Sequence, residues 1–321
     1  MNIQPAQPSR APSALVFGEA LIDLFEQGPV VGGAPFNVAR HLQGLGLAAC
    51  FVSRIGVDEG GTLIAGELAR RGMSTAALQT DPIYPTGLVR VHQEAPGEHS
   101  FEIVADAAWD HIEAAALPLA HSEVVQAGWL YYGSLALRSP ASHMAWQRLC
   151  IAHEGQRYMD LNWREGNVPR SKVLHALGAA DVAKVNSDEL AMLMRWHGLQ
   201  SRAEAMVLHV GETCTSIGDL LEPLSVARLI VTYGHGGYAA YDRRGQCIAS
   251  GPGRTGVALV DTVGAGDAFS SVVLAGFILG WKLPLALERA NEFAAAVCEV
   301  RGAMPHGTQF HHHWRHHWRL D

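Results

Sequence analysis

Cysteine is sparse and without pattern: Cys50, Cys150, Cys214, Cys247 and Cys298 are scattered through 321 residues, odd in number and free of any CxxC spacing. Neither a disulfide framework nor a cysteine zinc site follows from such usage. Charge is scarce too, at 17% of residues, and its balance is negative, at -7. Without a surplus of Lys and Arg the chain lacks what a phosphodiester backbone requires, so nucleic acid is not an expected partner and small molecules are. No apolar run is long enough to span a bilayer, and residues 1–13, rich in Pro, Gln and Ser, lack the apolar core of a signal peptide. A cytoplasmic protein with no membrane partner is the expectation. There is no GxxxxGK[ST] loop, so any nucleotide phosphates must be held by another device. The one Gly-x-Gly-x-x-Ala string, at Gly44, Gly46 and Ala49, follows a helical pattern and precedes a strand, the reverse of the order a dinucleotide site needs.

What is present is a large apolar fraction, 48%, enough for a sizeable core in one large α/β domain or in two domains. Residues 14–18 form a short apolar run ending in Gly, as expected of a buried parallel strand. Pro35 suits a first helical turn, Val38, Ala39, Leu42 and Leu45 follow at helical spacing, and Gly46 ends the element. A strand over 49–55 and a helix marked by Leu63, Ile64, Leu68 and Gly72 come next, and strands are expected again over 124–132, 158–161, 182–185 and 229–232. Such alternation predicts a mostly parallel sheet covered on both faces. Residues 86–104 break it with two β-prone runs about a turn, a hairpin that can serve as a lid or be an ordinary surface feature.

Chemistry concentrates in a few strings. Asp261-Thr262-Val263-Gly264-Ala265-Gly266-Asp267-Ala268-Phe269 places two glycines and an acid before the apolar run 268–281, which reads as a buried helix. N–H groups at a helix start lack intrahelical partners and carry the positive end of the macrodipole, so Gly264, Ala265 and Gly266 can bind an oxyanion. Asp267, in the same field, is expected to stay ionised and able to take a proton. A plain helix cap is the equal alternative.

Asp23, just past the first strand, and Asn37, in the next helical turn, can point into one crevice and match the donors and acceptors of a polyol; a loop acid and a cap explain them as well. Arg164 closes Asp160-Leu161-Asn162-Trp163-Arg164 after a strand and offers a fork for phosphate, or is a surface Arg. In Asn186-Ser187-Asp188-Glu189, Ser187 can cap a helix and the acids complement its dipole. Thr232-Tyr233-Gly234 ends a buried strand in a tight turn. In the tail, pairs such as His312 and His316 can share a helix face and chelate a metal, but a solvated, partly ordered segment is the expectation.

Taken in order, these strings resemble the signatures of the ribokinase-like (PfkB) carbohydrate kinases, and especially their fructokinase-like members, over about residues 14–305. The resemblance implies a three-layer αβα fold with a mostly parallel central sheet and a small β lid around 86–104, a flexible leader at 1–13 and a His/Trp-rich tail at 306–321. It implies an ATP-dependent kinase acting on a sugar hydroxyl, most of all fructose, with Mg²⁺ as cofactor. Asp267 takes the role of catalytic base, with the amides of Gly264, Ala265 and Gly266 and the side chain of Arg164 beside the transferred phosphate. Asp23, Gly32, Gly33 and Asn37 take the sugar. Asn186, Thr232, Gly234 and Asn291 take the nucleotide, Glu189 acts on Mg²⁺ through water, and Asp261 with the carbonyl of Val263 matches a monovalent cation site of the K⁺ type. The short Asp23 to Gly32 spacing suggests a reduced lid, which weakens the case for a lid-mediated homodimer. A 2-keto-3-deoxygluconate kinase, a nucleoside kinase and a regulator that binds without turnover are the alternatives, the last disfavoured by the presence of both Asp267 and Glu189.

Overall fold

The computed structural model describes residues 13–25, 28–95, 98–117, 119, 127–199 and 215–320. Strand β1 (Ala14–Phe17) is apolar at every position because both of its faces are covered: Leu15 and Phe17 belong to one core, Ala14 and Val16 to the other. It pairs in parallel with β4 (Ala49–Gly56) on one side and β8 (Trp129–Gly133) on the other. Beyond β8, the strands β9 (Gln156–Asp160), β10 (Val182–Asn186) and β11 (Arg228–Thr232) continue in parallel. β5 (Leu78–Asp81) extends the other flank, while β12 (Tyr238–Asp242) and β13 (Cys247–Gly251) finish one edge antiparallel. The order is β13-β12-β11-β10-β9-β8-β1-β4-β5. Chain direction across the sheet reverses beside β1, which places a crevice at the carboxyl ends of the central strands.

Helices α1 (Ala34–Gly44), α2 (Glu59–Arg70), α7 (Ala265–Ile278) and α8 (Leu283–Val297) pack on the Ala14/Val16 face. Helices α3 (Pro140–Ala152), α4 (Arg170–Gly178), α5 (Ser187–Trp196) and α6 (Thr215–Leu221) pack on the opposite face. The result is a three-layer αβα fold. A second, four-stranded sheet stands apart from it, in the order β3-β2-β6-β7, built from β2 (Leu21–Phe25), β3 (Gly28–Gly32), β6 (Gly87–Ala95) and β7 (Glu98–Ile103). β2 pairs antiparallel with β3 and parallel with β6, and β6 pairs antiparallel with β7.

Several expectations need correction. The small sheet is more than the 86–104 hairpin, because two five-residue strands fit into the short interval that ends at Gly32, and Asp23 lies inside one of them opposite Val30. The cap of α5 is Asn186, whose side chain accepts from the Glu189 N–H, one residue before the Ser187 expected. Helix α7 stops at Ile278 instead of running to Trp281.

The tail is not a solvated segment. Residues Gln309–Trp318 form helix α9, with His311, Trp314 and Trp318 buried. Spaced three and four apart, they make one apolar face, which rests on Phe293 of α8 and Trp281, while His41 Nδ1 of α1 lies 3.0 Å from His311 Nε2. His312, His313, His316 and His317 stay exposed on the other face. The leader expected at 1–13 lies outside the described residues except for Ser13. No helix among the described residues is long and apolar enough to cross a membrane.

Candidate active site

A cleft of ≈ 1370 Å³ opens at the carboxyl ends of β1, β9, β10 and β11, between the start of α7 and the small sheet. At its centre, α7 begins just after Gly264, which has φ 79. A Cβ at Gly264 would come within 2.3 Å of the Ala303 side chain, so both conformation and space require glycine there. The turn is stapled from below by Asp261, whose two oxygens accept from the N–H groups of Val263 (3.0 Å) and Gly302 (2.9 Å). The N–H groups of Gly264, Gly266 and Asp267 have no acceptor among the described residues, whereas that of Ala265 is taken by the Thr262 carbonyl at 3.2 Å. Of the three amides expected, those of Gly264 and Gly266 are free for an anion, that of Ala265 is not because the turn itself uses it, and that of Asp267 takes its place.

Asp267 lies at the edge of this turn, 9% exposed and facing the cleft. Asn37 Nδ2 donates to its Oδ2 at 2.7 Å, a contact between residues 230 positions apart that joins the two halves of the site. Its carboxyl is not held ionised by the helix field, as expected above, but is pushed up to about 7, chiefly by burial. The hydrogen bond from Asn37 opposes that rise, Asp160 adds to it, and Lys184 and Arg164 oppose it. Helix-dipole reasoning considers one terminus; the cost of burying an anion depends on every element packed around it.

At the small-sheet end, Asp23, Gly33 and Asn37 line the cleft. Gly32 does not line it: a Cβ there would fall 2.1 Å from Asp23 Oδ2, so its glycine makes room for that carboxylate. The Asp23 carboxyl is pushed up to about 6 by burial, against the fields of Arg40 and Arg164. Asn37 is not a free ligand, since its Oδ1 accepts from Arg40, which also donates to the Val31 carbonyl at 3.0 Å. Arg164 follows β9, is exposed and lines the cleft.

At the opposite end the cleft is lined by Asn186, Glu189, Thr232, Gly234 and Asn291. Glu189 is buried, and its oxygens accept from the N–H groups of Trp163 (2.7 Å) and Asn186 (2.8 Å), a capping box with an added strand-end contact. Burial raises its pKa, with Lys184 working the other way. No group of three or more His, Cys, Asp or Glu side chains among the described residues can cage a metal. The donor set therefore fits Mg²⁺ only as an ion carried by phosphates and touched through water, since each Glu189 oxygen has a lone pair left. Asp261 likewise retains lone pairs, although the structure employs it first as a backbone staple.

Sequence reasoning missed a buried polar layer under the turn. Lys184 Nζ sits 3.1 and 3.3 Å from the two oxygens of Asp160, and Ser270 Oγ donates to the same carboxylate at 2.7 Å. The pKa of Lys184 is raised: burial works against it, but Asp160 and Glu189 prevail. A Cβ at Gly266 would stand 3.2 Å from Lys184 Nζ, so this cation lies directly beneath the oxyanion turn. A lone Lys in the apolar strand 182–185, an Arg in the apolar face of α1 and a Ser inside α7 were the available signals.

The family model described as pfkB family carbohydrate kinase matches residues 9–308. Fructokinase-1 of Oryza sativa subsp. japonica is 30% identical, over 92% of this chain and 94% of its own length. The structure of fructokinase from Xylella fastidiosa with bound ATP superposes with a TM-score of 0.77 at 24% identity, covering 96% of this chain and 99% of that one. Fructokinase from Vibrio cholerae O395, solved with fructose, ADP and calcium, gives a TM-score of 0.74 at 25% identity over 92% of this chain and 95% of that one. The chain belongs to the pfkB family of carbohydrate kinases.

Proposed function

We propose that this family member transfers the γ-phosphate of ATP to a hydroxyl of fructose. The observation that carries the reading is the meeting, in one cleft, of a carboxyl poised near neutral pH and three unpartnered helix-start amides. Phosphoryl transfer to an alcohol asks for those two things, a proton acceptor and preorganised donors for the migrating group.

In the proposed reaction Asp23 and the backbone at Gly33 hold the sugar, with Asn37 adding the second hydrogen of its Nδ2 and positioning Asp267. Asp267, its Oδ2 tied to Asn37, takes the proton of the attacking hydroxyl on Oδ1, which has no hydrogen bond among the described residues. The hydroxyl oxygen bonds to the γ-phosphorus as the bond to the bridging oxygen of ADP breaks. The amides of Gly264, Gly266 and Asp267 receive the charge on the transferred group, and Arg164 reaches it from the strand β9 side. Glu189 would hold, through water, the Mg²⁺ that accompanies the nucleotide, and that ion would supply charge neutralisation at the phosphates. Asn186, Thr232, Gly234 and Asn291 accommodate the nucleotide, and Asp261 with the Val263 carbonyl is the place for a K⁺-type ion. A homodimer belongs to the same proposal and is read by analytical ultracentrifugation.

Support for fructose comes from the names of the relatives, one of which was solved with that sugar. The test is ADP release with MgATP over a panel of sugars. Fructose is expected to stimulate most; a preference for 2-keto-3-deoxygluconate reassigns the substrate, and stimulation by no sugar refutes the reading.

A further inference from the structure

We infer that Glu19 is a further sugar-contacting residue, its carboxyl supplying a hydrogen bond to an oxygen of the bound carbohydrate. The inference rests on the kinase reading above and concerns the floor of the same cleft.

Glu19 follows Gly18, directly after the carboxyl end of β1. Two absent side chains hold it there. Gly18, at φ 153, leaves the space Pro35 occupies, a Cβ at 18 falling 2.4 Å from the proline ring; Gly33 leaves the space of the Glu19 carbonyl, 2.5 Å from where its Cβ would be. Segment 18–20 is thereby pressed against the start of α1, and the Glu19 side chain has little freedom to leave. It lines the cleft beside Asp23, Asn37 and Asp267, yet it is only 3% exposed. Its Oε2 is buried with no hydrogen-bond partner.

Such an orphaned oxygen is unfavourable unless a ligand completes it. The nearby cations do not. Arg164 and Arg138 reach it only through their fields, and Arg138 is spent on Asp110 at 2.7 and 2.8 Å. The charged groups around it are Asp267 on α7, Asp23 on β2, Arg164 after β9 and Arg138 before α3. Burial first, and Asp267 next, push its carboxyl up to about 7. A neutral carboxyl both donates and accepts, as a sugar hydroxyl does. A second carboxylate beside Asp267 would only repel, so the neutral form suits the site.

Calorimetric titration of D-fructose into wild type, Glu19→Ala and Glu19→Gln tests this, with melting curves to verify folding. Glu19→Ala is expected to lose about 10-fold or more in affinity, while Glu19→Gln, which retains a donor and an acceptor, stays within about 3-fold. Wild-type affinity is expected to weaken as pH rises past 7 and Glu19 ionises, more than in Glu19→Gln, where only Asp23 and Asp267 titrate. Wild-type affinity in Glu19→Ala, or equal losses in both variants, overturns the inference. Glu19-dependent fructose binding without ADP release sinks the kinase reading and leaves the contact standing. ADP release with an unchanged fructose KM in Glu19→Ala does the reverse, and wild type that binds no fructose overturns the inference itself.

Discussion

Lys184→Met removes the cation beneath the oxyanion turn and tests whether the buried polar layer supports the site. Lys184 is 5% exposed and Asp160 is 1% exposed, with Nζ 3.1 Å from the nearer oxygen. At an effective dielectric of about 20 that separation is worth ~5 kcal/mol of gross attraction, most of which desolvation offsets while the pair is intact. The variant exposes the other side of the balance. Asp160 is left buried as an uncompensated charge, near Glu189 and Asp267, at a cost of ~3–5 kcal/mol. The 2.7 Å donation from Ser270 survives and argues for the lower end of that range. In a chain of this size the melting temperature should fall by roughly 4–7 °C. Equilibrium urea unfolding and calorimetry give the number, and Lys184→Met/Asp160→Asn, neutral on both sides, should recover more than half of it. A single variant within about 1 kcal/mol of wild type, or a double no better than the single, would refute the reasoning.

Four further outcomes are expected. Turnover should rise with pH through about 7 as Asp267 loses its proton, and Asn37→Ala, which removes the bond favouring the carboxylate, should move that limb to higher pH. The same shifts act on the fold: Asp23, Glu19 and Asp267 have folded pKa values of about 6, 7 and 7, above their unfolded ones. Their stabilising contribution is complete below about pH 4 and is lost as pH rises through 6–7, so at pH 8 Asp267→Asn should melt above wild type in a thermal scan. Gly264→Ala forces a side chain into φ 79 and into Ala303, whereas Gly266→Ala meets only the flexible end of Lys184; urea unfolding should show a loss of ~2–4 kcal/mol for the first and under about 1 kcal/mol for the second. Trp318→Ala should cost ~3–5 kcal/mol by the same method if α9 is docked as described, and nothing if the tail is solvated.

The α/β rhythm was readable because buried parallel strands are apolar at successive positions and the helices end at glycines such as Gly46 and Gly72. The turn within 261–269 was readable because the helix start there needs glycine at 264, for its positive φ and its contact with Ala303. What escaped notice is non-local. β3 read as loop because Gly28, Pro29 and Gly32 are poor strand formers, and it becomes sheet by pairing with β2, which pairs in turn with β6. The helical phase of His311, Trp314 and Trp318 was present in the sequence, but the histidines among them suggested solvent until Phe293 and His41 supplied a surface to cover. Asp267 looked ionised from its helix alone; burial under elements distant in the chain raises its pKa, and Asn37, Asp160 and Lys184 adjust the balance.

The most direct test of the central claim is single-turnover phosphoryl transfer by Asp267→Asn with MgATP and saturating fructose. The variant retains the shape of the side chain and the free amides of the turn but has no base. It is expected to fold and bind fructose like wild type while transferring phosphate ~10²–10⁴-fold more slowly. A folded variant that transfers at a rate within about 3-fold of wild type would contradict the account.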